Sequence, residues 1–393
     1  MKLAGQFHMA VDMAFNGELF NIFSWLPAKS IIKFTSLCQS SNKLLSEDFF
    51  IKEQCKNMAL KDDLSFSIQP NSCQRYKDKV EFHTLSYDDS SSTVVPYKSL
   101  HFLSNAGRVL ASSNGLLCCR NIIDNQTGLF ICNPTTKTWF SIPAPEGLKL
   151  QDSDFKIVFE CKNDLGKFPD DYLLMVLLDT YEWSSNFLCK IYSPKEGTWR
   201  ENGTINAGAR SILSETPVYH NGVVYFISDC FSYLSKNSPF YWPYIVSYDT
   251  QTFVSSFMKI PKDARRGLHD PACRLCIFRW GSAEICLVKQ LKSVFSMWVL
   301  TDQSSSSWKR VLKMRVRAMG VTERDPKVAG FTVLNGHSLV FATEEKVYKY
   351  RLSGGRSERA EEICRHECGR NVFFNAYSNA LRPCGDGATP LPT

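Results

Sequence analysis

Ile131-Cys-Asn-Pro-Thr-Thr-Lys-Thr-Trp139 is the stretch on which the fold turns. Apolar residues finish a strand, Asn, Pro and Thr make a turn, and an aromatic opens the next strand. The phrase returns as Ile191-Tyr-Ser-Pro-Lys-Glu-Gly-Thr-Trp199, as Val246-Ser-Tyr-Asp-Thr-Gln-Thr-Phe253, and as Val299-Leu-Thr-Asp-Gln-Ser-Ser-Ser-Ser-Trp308. The closing aromatics, at 139, 199, 253 and 308, stand 60, 54 and 55 residues apart. A second phrase, Asn-Gly before an apolar strand, falls at Asn114, Asn221 and Asn335, gaps of about two units each.

Working outward, everything from about Asp63 onward consists of short runs rich in Val, Ile, Tyr and Phe between turn residues. Examples are Tyr172 to Leu178, Val223 to Ile227, Met297 to Leu300 and Ser338 to Ala342. A period slightly above the roughly 50 residues of a kelch unit predicts four-stranded propeller blades. A four-stranded blade has two apolar faces, and stacking blades round an axis buries both and leaves only short edges. Five units fit between about Gly107 and Ser353. A sixth can be assembled from Leu64 to Leu103 with the late strand Val372 to Tyr377. The expected fold is therefore mostly β, a kelch-like β-propeller of about six blades over 60–378. The Gly- and Pro-rich residues 379–393 predict a disordered tail.

Residues 14–53 read differently. Leu19, Ile22, Phe23 and Leu26 recur at helical spacing, one face of an amphipathic helix. Pro27 stops it. Ile31, Phe34, Leu37 and Cys38 repeat the spacing, and Phe49 and Phe50 belong to a third helical piece. A helical module this small cannot bury so much apolar surface by itself, so a partner is expected.

Composition narrows the function. The chain of 393 residues is 22% charged and 44% hydrophobic, the balance of a globular protein with a sizeable core. The net charge of +7 is scattered rather than gathered in a stripe, which argues against a nucleic-acid partner. Met1 to Ala14 has no signal-peptide pattern, and the longest strongly apolar run is strand-length, so neither export nor membrane insertion is expected. Cytosol or nucleus fits, and the 15 cysteines then act mainly as small buried apolar residues.

Patterns that carry catalysis are not prominent. There is no Gly-x-Ser-x-Gly elbow and no phosphate-cradling Gly-x-x-x-x-Gly-Lys. Cys364-Arg-His366-Glu-Cys368 and the pair Cys273 and Cys276 are the best zinc candidates, but a second pair at ribbon spacing is missing. No metal, no cofactor and no enzymatic activity are expected. Aromatics instead gather in two loops, Cys230 to Pro243 with Phe231, Tyr233, Phe240, Tyr241 and Trp242, and Asp179 to Asn186 with Tyr181 and Trp183. Such loops either contact a target at the mouth of a ring or cover the edge of a blade.

These residues resemble a known family. The stretch Glu18 to Phe50, with Ile22-Phe23, Trp25-Leu-Pro-Ala-Lys-Ser30, Phe34 and Leu37-Cys38, is similar to the F-box of plant F-box proteins. Ser113-Asn-Gly-Leu-Leu-Cys118 followed by Cys132-Asn-Pro-Thr-Thr-Lys-Thr-Trp139 resembles their F-box-associated, kelch-like propeller domain. The resemblance implies a receptor subunit of a Skp–cullin–F-box ubiquitin ligase, with the F-box docked on the Skp adaptor and the propeller holding a target protein. The adaptor-facing residues it implies are Leu19, Ile22, Phe23, Leu26, Pro27, Ile31, Leu37 and Cys38. The chain departs from the family pattern at Ala14-Phe15, at Glu18 and at Ser41, so a second reading is a propeller scaffold whose F-box no longer engages the ligase.

Overall fold

The computed structural model of the chain describes residues 18, 20–35, 43, 45–60, 65–70, 81–84, 94–95, 108–123, 126–147, 156–161, 172–180, 184–213, 215–281, 284–334, 336–352 and 358–391. The helices α1 (Ala28–Thr35) and α2 (Asp48–Leu60) precede the strands. The first strands are β1 (Ser65–Pro70), β2 (Glu81–Thr84) and β3 (Val94–Val95). β4 (Arg108–Ser113), β5 (Leu116–Ile123), β6 (Gln126–Asn133) and β7 (Thr138–Ile142) follow, then β8 (Lys156–Cys161), β9 (Tyr172–Asp179), β10 (Asn186–Ser193) and β11 (Thr198–Asn206). Next come β12 (Val218–His220), β13 (Val223–Ile227), β14 (Tyr244–Asp249) and β15 (Ser255–Lys259). β16 (Cys273–Trp280), β17 (Glu284–Leu291), β18 (Val294–Asp302) and β19 (Ser307–Arg315) make another set. β20 (Gly330–Leu334), β21 (Ser338–Ala342), β22 (Lys346–Arg351) and β23 (Glu361–Arg365) precede β24 (Val372–Tyr377) and β25 (Thr389–Pro390).

Each consecutive set of four from β4 to β23 is one antiparallel meander, and β1 to β3 complete a sixth sheet with β24. Ser65 pairs with Tyr377 and Pro70 with Val372, so the two ends of the strand region meet in one sheet. The innermost strands follow one another in a circuit. β4 touches β8, β8 touches β12, β12 touches β16, β16 touches β20, β20 touches β24, and β24 touches β4. The molecule is thus mostly β with its sheets in a propeller arrangement.

Local chemistry explains the hairpins. Asn114 and Gly115 both have positive φ, 39° and 86°, as do Asn221 and Gly222 at 48° and 83°. A two-residue turn with both central φ angles positive matches the twist of the strands it joins, and Asn-Gly tolerates it best. Between turns the strands pack face to face through apolar clusters shared by neighbouring sheets. One cluster joins Val224, Phe226 and Tyr248 to Met175 and Cys189 of the preceding sheet, and another joins Phe295 and Met297 to Phe331 and Phe341 of the next. Full burial of a Phe such as Phe226, Phe295 or Phe341 contributes about 1.5–3 kcal/mol.

The repeated aromatic does more than cover its own sheet. Trp199 on β11 donates its indole N–H to the Pro143 carbonyl at 2.7 Å, just past the outer strand of the preceding sheet. Trp308 on β19 does the same to the Lys259 carbonyl at 3.0 Å. Each ties one outer strand to its neighbour. Phe253 departs from the pattern: it lies in the turn before β15 with φ of 61°.

Neighbouring cysteines divide between clusters because strand side chains alternate. Cys118 enters one inter-sheet core and Cys119 the other side of the same sheet. Cys273 and Cys276 likewise face different clusters, so they cannot grip one ion. The His366 ring is buried in hydrogen bonds, with Nε2 3.0 Å from the Thr343 carbonyl and Nδ1 accepting the Cys368 N–H at 3.2 Å. No metal-binding group of three or more His, Cys, Asp or Glu occurs among the described residues.

Two boundaries move. The last helix runs to Leu60, past the expected limit at 53. The expected disordered tail is, over 379–391, a strap: β25 pairs with β7 at Thr389 and Trp139, and Ala380, Arg382 and Cys384 are buried. Asn133 donates to the carbonyls of both Ala380 and Arg382 at 2.9 Å. Gly- and Pro-rich composition suggested disorder, but these backbone groups find fixed partners on the second sheet.

Candidate functional site

The strap positions the helices. Asn379 accepts the Ala28 N–H at 2.8 Å through its carbonyl, and the same carbonyl accepts Gln54 Nε2 at 3.1 Å. Gln54 Oε1 in turn accepts the Leu381 N–H at 3.0 Å, while Nε2 also reaches the Leu26 carbonyl at 3.1 Å. Asn114, at the tip of the β4–β5 turn, donates to the Cys55 carbonyl at 3.1 Å. Cys55, Met58 and Ala380 pack together behind these bonds. The helices are therefore pinned over the end of the ring where the innermost strands finish.

Inside the helical module Ile31, Leu45 and Phe50 form a small core, backed by Phe20, Phe23, Leu26, Phe34 and Leu381. Phe23 stacks on Phe34 with centroids 5.2 Å apart. Pro27 ends one helical turn and starts the next, its carbonyl accepting the N–H groups of Ser30 and Ile31. Of the residues expected to face an adaptor, Ile31 is fully buried and Phe23 and Leu26 point into this core, because α1 needs them to pack against α2. Ile22 is 59% exposed. Leu19, Leu37 and Cys38 lie outside the described residues, as do Ala14, Phe15 and Ser41. The outward apolar surface is completed by Trp25 at 47%, Phe49 at 55% and Ile32. Helical periodicity did not distinguish these from core positions, since in so short a module both faces are apolar.

A cavity of about 300 Å³ runs along the axis beneath the helices, lined by Met58 and Ala59 and by the later residues of β4, β8, β16, β20 and β24. Arg279 of β16 crosses toward β8 and bonds Glu160 at 3.0 Å. A second cavity, about 350 Å³, opens where the innermost strands begin, lined by Leu268, His269, Cys273, Arg274, Leu275, Gly330, Phe331 and Phe373. The two share Glu215, Thr216, Phe373 and Phe374, so they are the two ends of one axial channel.

The 228–243 loop borders the second cavity through Asp229, Cys230, Phe231 and Ser232. Its anchor is Arg210, which is buried and bonds Asp229 Oδ1 at 3.0 Å. The same guanidinium donates to the carbonyls of Phe240 at 2.7 Å, Phe231 at 2.9 Å and Tyr241 at 2.5 Å. Charged hydrogen bonds of this fork geometry are the strong ones. Asp229 Oδ2 also accepts the Tyr233 hydroxyl at 2.9 Å, and burial, then the bond to Asp229, pushes that hydroxyl's pKa up. Tyr233 remains 53% exposed and Phe231 71%. Phe240 turns inward onto Tyr244 and Phe257. Tyr241 and Trp242 pack against each other and against His269, with Arg265 over the Trp242 ring. The loop's aromatics thus divide: Phe240 staples it down, Tyr241 and Trp242 brace it, and Phe231 and Tyr233 face outward. Tyr181 and Trp183 lie outside the described residues. Burial raises the thiol pKa of Cys230 to about 12 and raises that of Cys273, so neither is a reactive thiolate near neutral pH.

Comparison with known proteins bears on this arrangement. Residues 71–349 match the F-box associated beta propeller domain. The chain belongs to that family. An F-box protein of Arabidopsis thaliana is 24% identical over 322 residues, 77% of this chain and 79% of that protein. An F-box/kelch-repeat protein of the same plant is 25% identical over 378 residues, covering 94% and 91%. Among solved structures, TolB from Acinetobacter baumannii is 12% identical with a TM-score of 0.46, over 80% of this chain and 66% of that one.

Proposed function

We propose that this F-box associated propeller chain is the substrate-recognition subunit of a Skp–cullin–F-box ubiquitin ligase. In this reading the helices dock on the Skp adaptor and through it on the cullin, and the far mouth of the ring holds a target protein. The chain performs no chemistry itself; ubiquitin transfer belongs to other subunits, in the cytosol or the nucleus. The six sheets are then six blades of one ring, closed by β1 and β24.

The observation that carries this reading is the placing of two exposed apolar surfaces at opposite ends of one axis. Ile22, Trp25, Ile32 and Phe49 crown the helices, while Phe231 borders the cavity at the other mouth and Tyr233 is exposed on the same loop. Exposed apolar helix faces are the usual anchors of helix-in-groove docking. A protein that must touch an adaptor and a target at once needs such separation.

The test is capture of purified Skp adaptor by the full chain, beside a Trp25→Ser/Phe49→Ser variant. Capture that falls at least tenfold in the variant supports the reading, since burying two aromatics commonly dominates an interface. No capture by a well-folded parent chain leaves the scaffold with an unused F-box as the better account.

A further inference from the structure

We infer that the open outer edge of β19 takes up an extended, acidic segment of a partner protein as a fifth strand. The inference goes beyond the receptor reading and does not depend on it, since β19 lies at the perimeter of its sheet, three strands out from the innermost β16.

The chain's charge is spread along its sequence, but the fold gathers much of it here. Residues 259–317 hold thirteen Lys and Arg against four Asp and Glu, an excess of nine in a chain whose net charge is +7. On β19, Arg310, Lys313 and Arg315 stand opposite Trp298, Ser296 and Val294, with Val311 bulged out of register. Cross-strand partners share a face, and Trp298 packs toward the preceding sheet, so the three cations line that face. The turn Lys262–Arg265 and the following Arg266 lie against the same face. Lys289, which pairs with Ser296, is buried and bonds the Ala264 carbonyl at 2.9 Å and the Arg266 carbonyl. Burial lowers the pKa of Lys289, and the nearby charge of Lys313 lowers it further.

The carboxylates of this region are already engaged. Asp263 accepts Arg310 at 2.9 Å and the Trp298 indole N–H at 3.1 Å. Asp270 is matched by Lys292 at 3.7 Å, and Asp302 is held in its turn by Ser304 and Ser305. Among the described residues, Lys262, Arg266, Lys313 and Arg315 are exposed and have no carboxylate within 4.0 Å.

The edge of β19 away from β18 pairs with no strand among the described residues. Alternate N–H and C=O groups along its nine residues are therefore open to one. The fold shows this mode itself. β25 pairs antiparallel with the outer edge of β7, Thr389 opposite Trp139, and Trp308 holds on β19 the place of Trp139 in the repeated phrase. The other outer strands lack the charge: β11 offsets Arg200 with Glu201, β15 holds a single lysine, and β23 opens on Glu361 and Glu362. Basic side chains on an edge discourage pairing with a second copy of it and favour an acidic strand. A phosphodiester chain would match the cations but brings no donors for the edge carbonyls, whereas a peptide backbone brings donors and acceptors together.

The experiment titrates the full chain into a short labelled peptide that alternates Glu and Thr, followed by fluorescence anisotropy. Binding is expected to be at least about tenfold tighter than to the matching Gln–Thr peptide. Methylating the backbone nitrogens of the Glu–Thr peptide keeps its charge and removes its strand bonds, and should weaken binding about tenfold as well; neither comparison involves a protein variant. The exposed double change Lys313→Glu/Arg315→Glu abolishes the preference for Glu over Gln, while Lys195→Glu, in the turn between β10 and β11, leaves it intact. Equal binding of the Glu and Gln peptides, binding of neither, or unchanged binding after methylation or in the double variant overturns the inference. Tighter binding of oligothymidylate than of the Glu–Thr peptide overturns it too, by marking the face as one for nucleic acid.

Discussion

The two ends of the channel expose apolar side chains for opposite reasons. At the helical end, Trp25 and Phe49 lie outside a small core that Ile31, Leu45 and Phe50 already fill among the described residues. At the far mouth, Tyr233 is outside although polar bonds hold it: its hydroxyl is fixed by Asp229, which is fixed by Arg210. The helices are kept in place by hydrogen bonds to backbone carbonyls of the strap, a neutral attachment. The loop is kept in place by a buried ion pair. The first surface is a leftover of small size, while the second is set in a stated geometry before any partner arrives, which lowers the ordering cost of binding.

Removing the ion pair from one side breaks that contrast most severely. Arg210→Ala strands a buried Asp229 and frees several loop carbonyls, so unfolding free energy should fall by about 3–5 kcal/mol. Urea denaturation followed by tryptophan fluorescence reads it. Gln54→Leu should cost less, about 1–3 kcal/mol, by removing the acceptor of the Leu381 N–H and one donor to the Asn379 carbonyl. Hydrogen exchange should quicken in 28–60 and 378–384 and stay unchanged at the 228–243 loop; equal change in both regions would show the two ends to be coupled. Gly115→Ala follows in size. Its Cβ would stand 2.8 Å from that of Ala380 at a φ of +86°, so it should loosen the strap by about 1–3 kcal/mol, measured by limited proteolysis after residue 377. Smallest is Phe231→Ser, an exposed position, expected within about 0.5 kcal/mol of the parent. A larger loss would mean that Phe231 props the loop rather than presenting itself.

The repeat was legible because propeller physics writes itself at short range. Positive φ at Asn114 and Gly115 calls for those residue types, and Trp199 and Trp308 recur since each must reach the preceding sheet. The staple was not legible. Arg210 and Asp229 sit 19 residues apart with no periodic mark, and only the fold brings a lone arginine under a loop. The strap was misread for a related reason: its order comes from partners such as Asn133, some 250 residues earlier in the chain, and composition cannot report that. In the helical module the helices were legible but not their outward side. Ile31 and Ile32 are chemically alike, yet one is buried and the other exposed, and the difference is set by where α2 and Leu381 happen to lie.

The pairing of β1 with β24, and the strap that follows it, impose an order on synthesis. The helices emerge from the ribosome first, but the carbonyl of Asn379 and the backbone of Leu381 that seat them are made after every other sheet. Until then β1 lacks one neighbour and α2 lacks its floor. A chain interrupted before Val372 therefore has an open circuit of strands and unseated helices together, and the unpaired edge of β1 is exposed. Completion of the strand circuit and seating of the helices become one event.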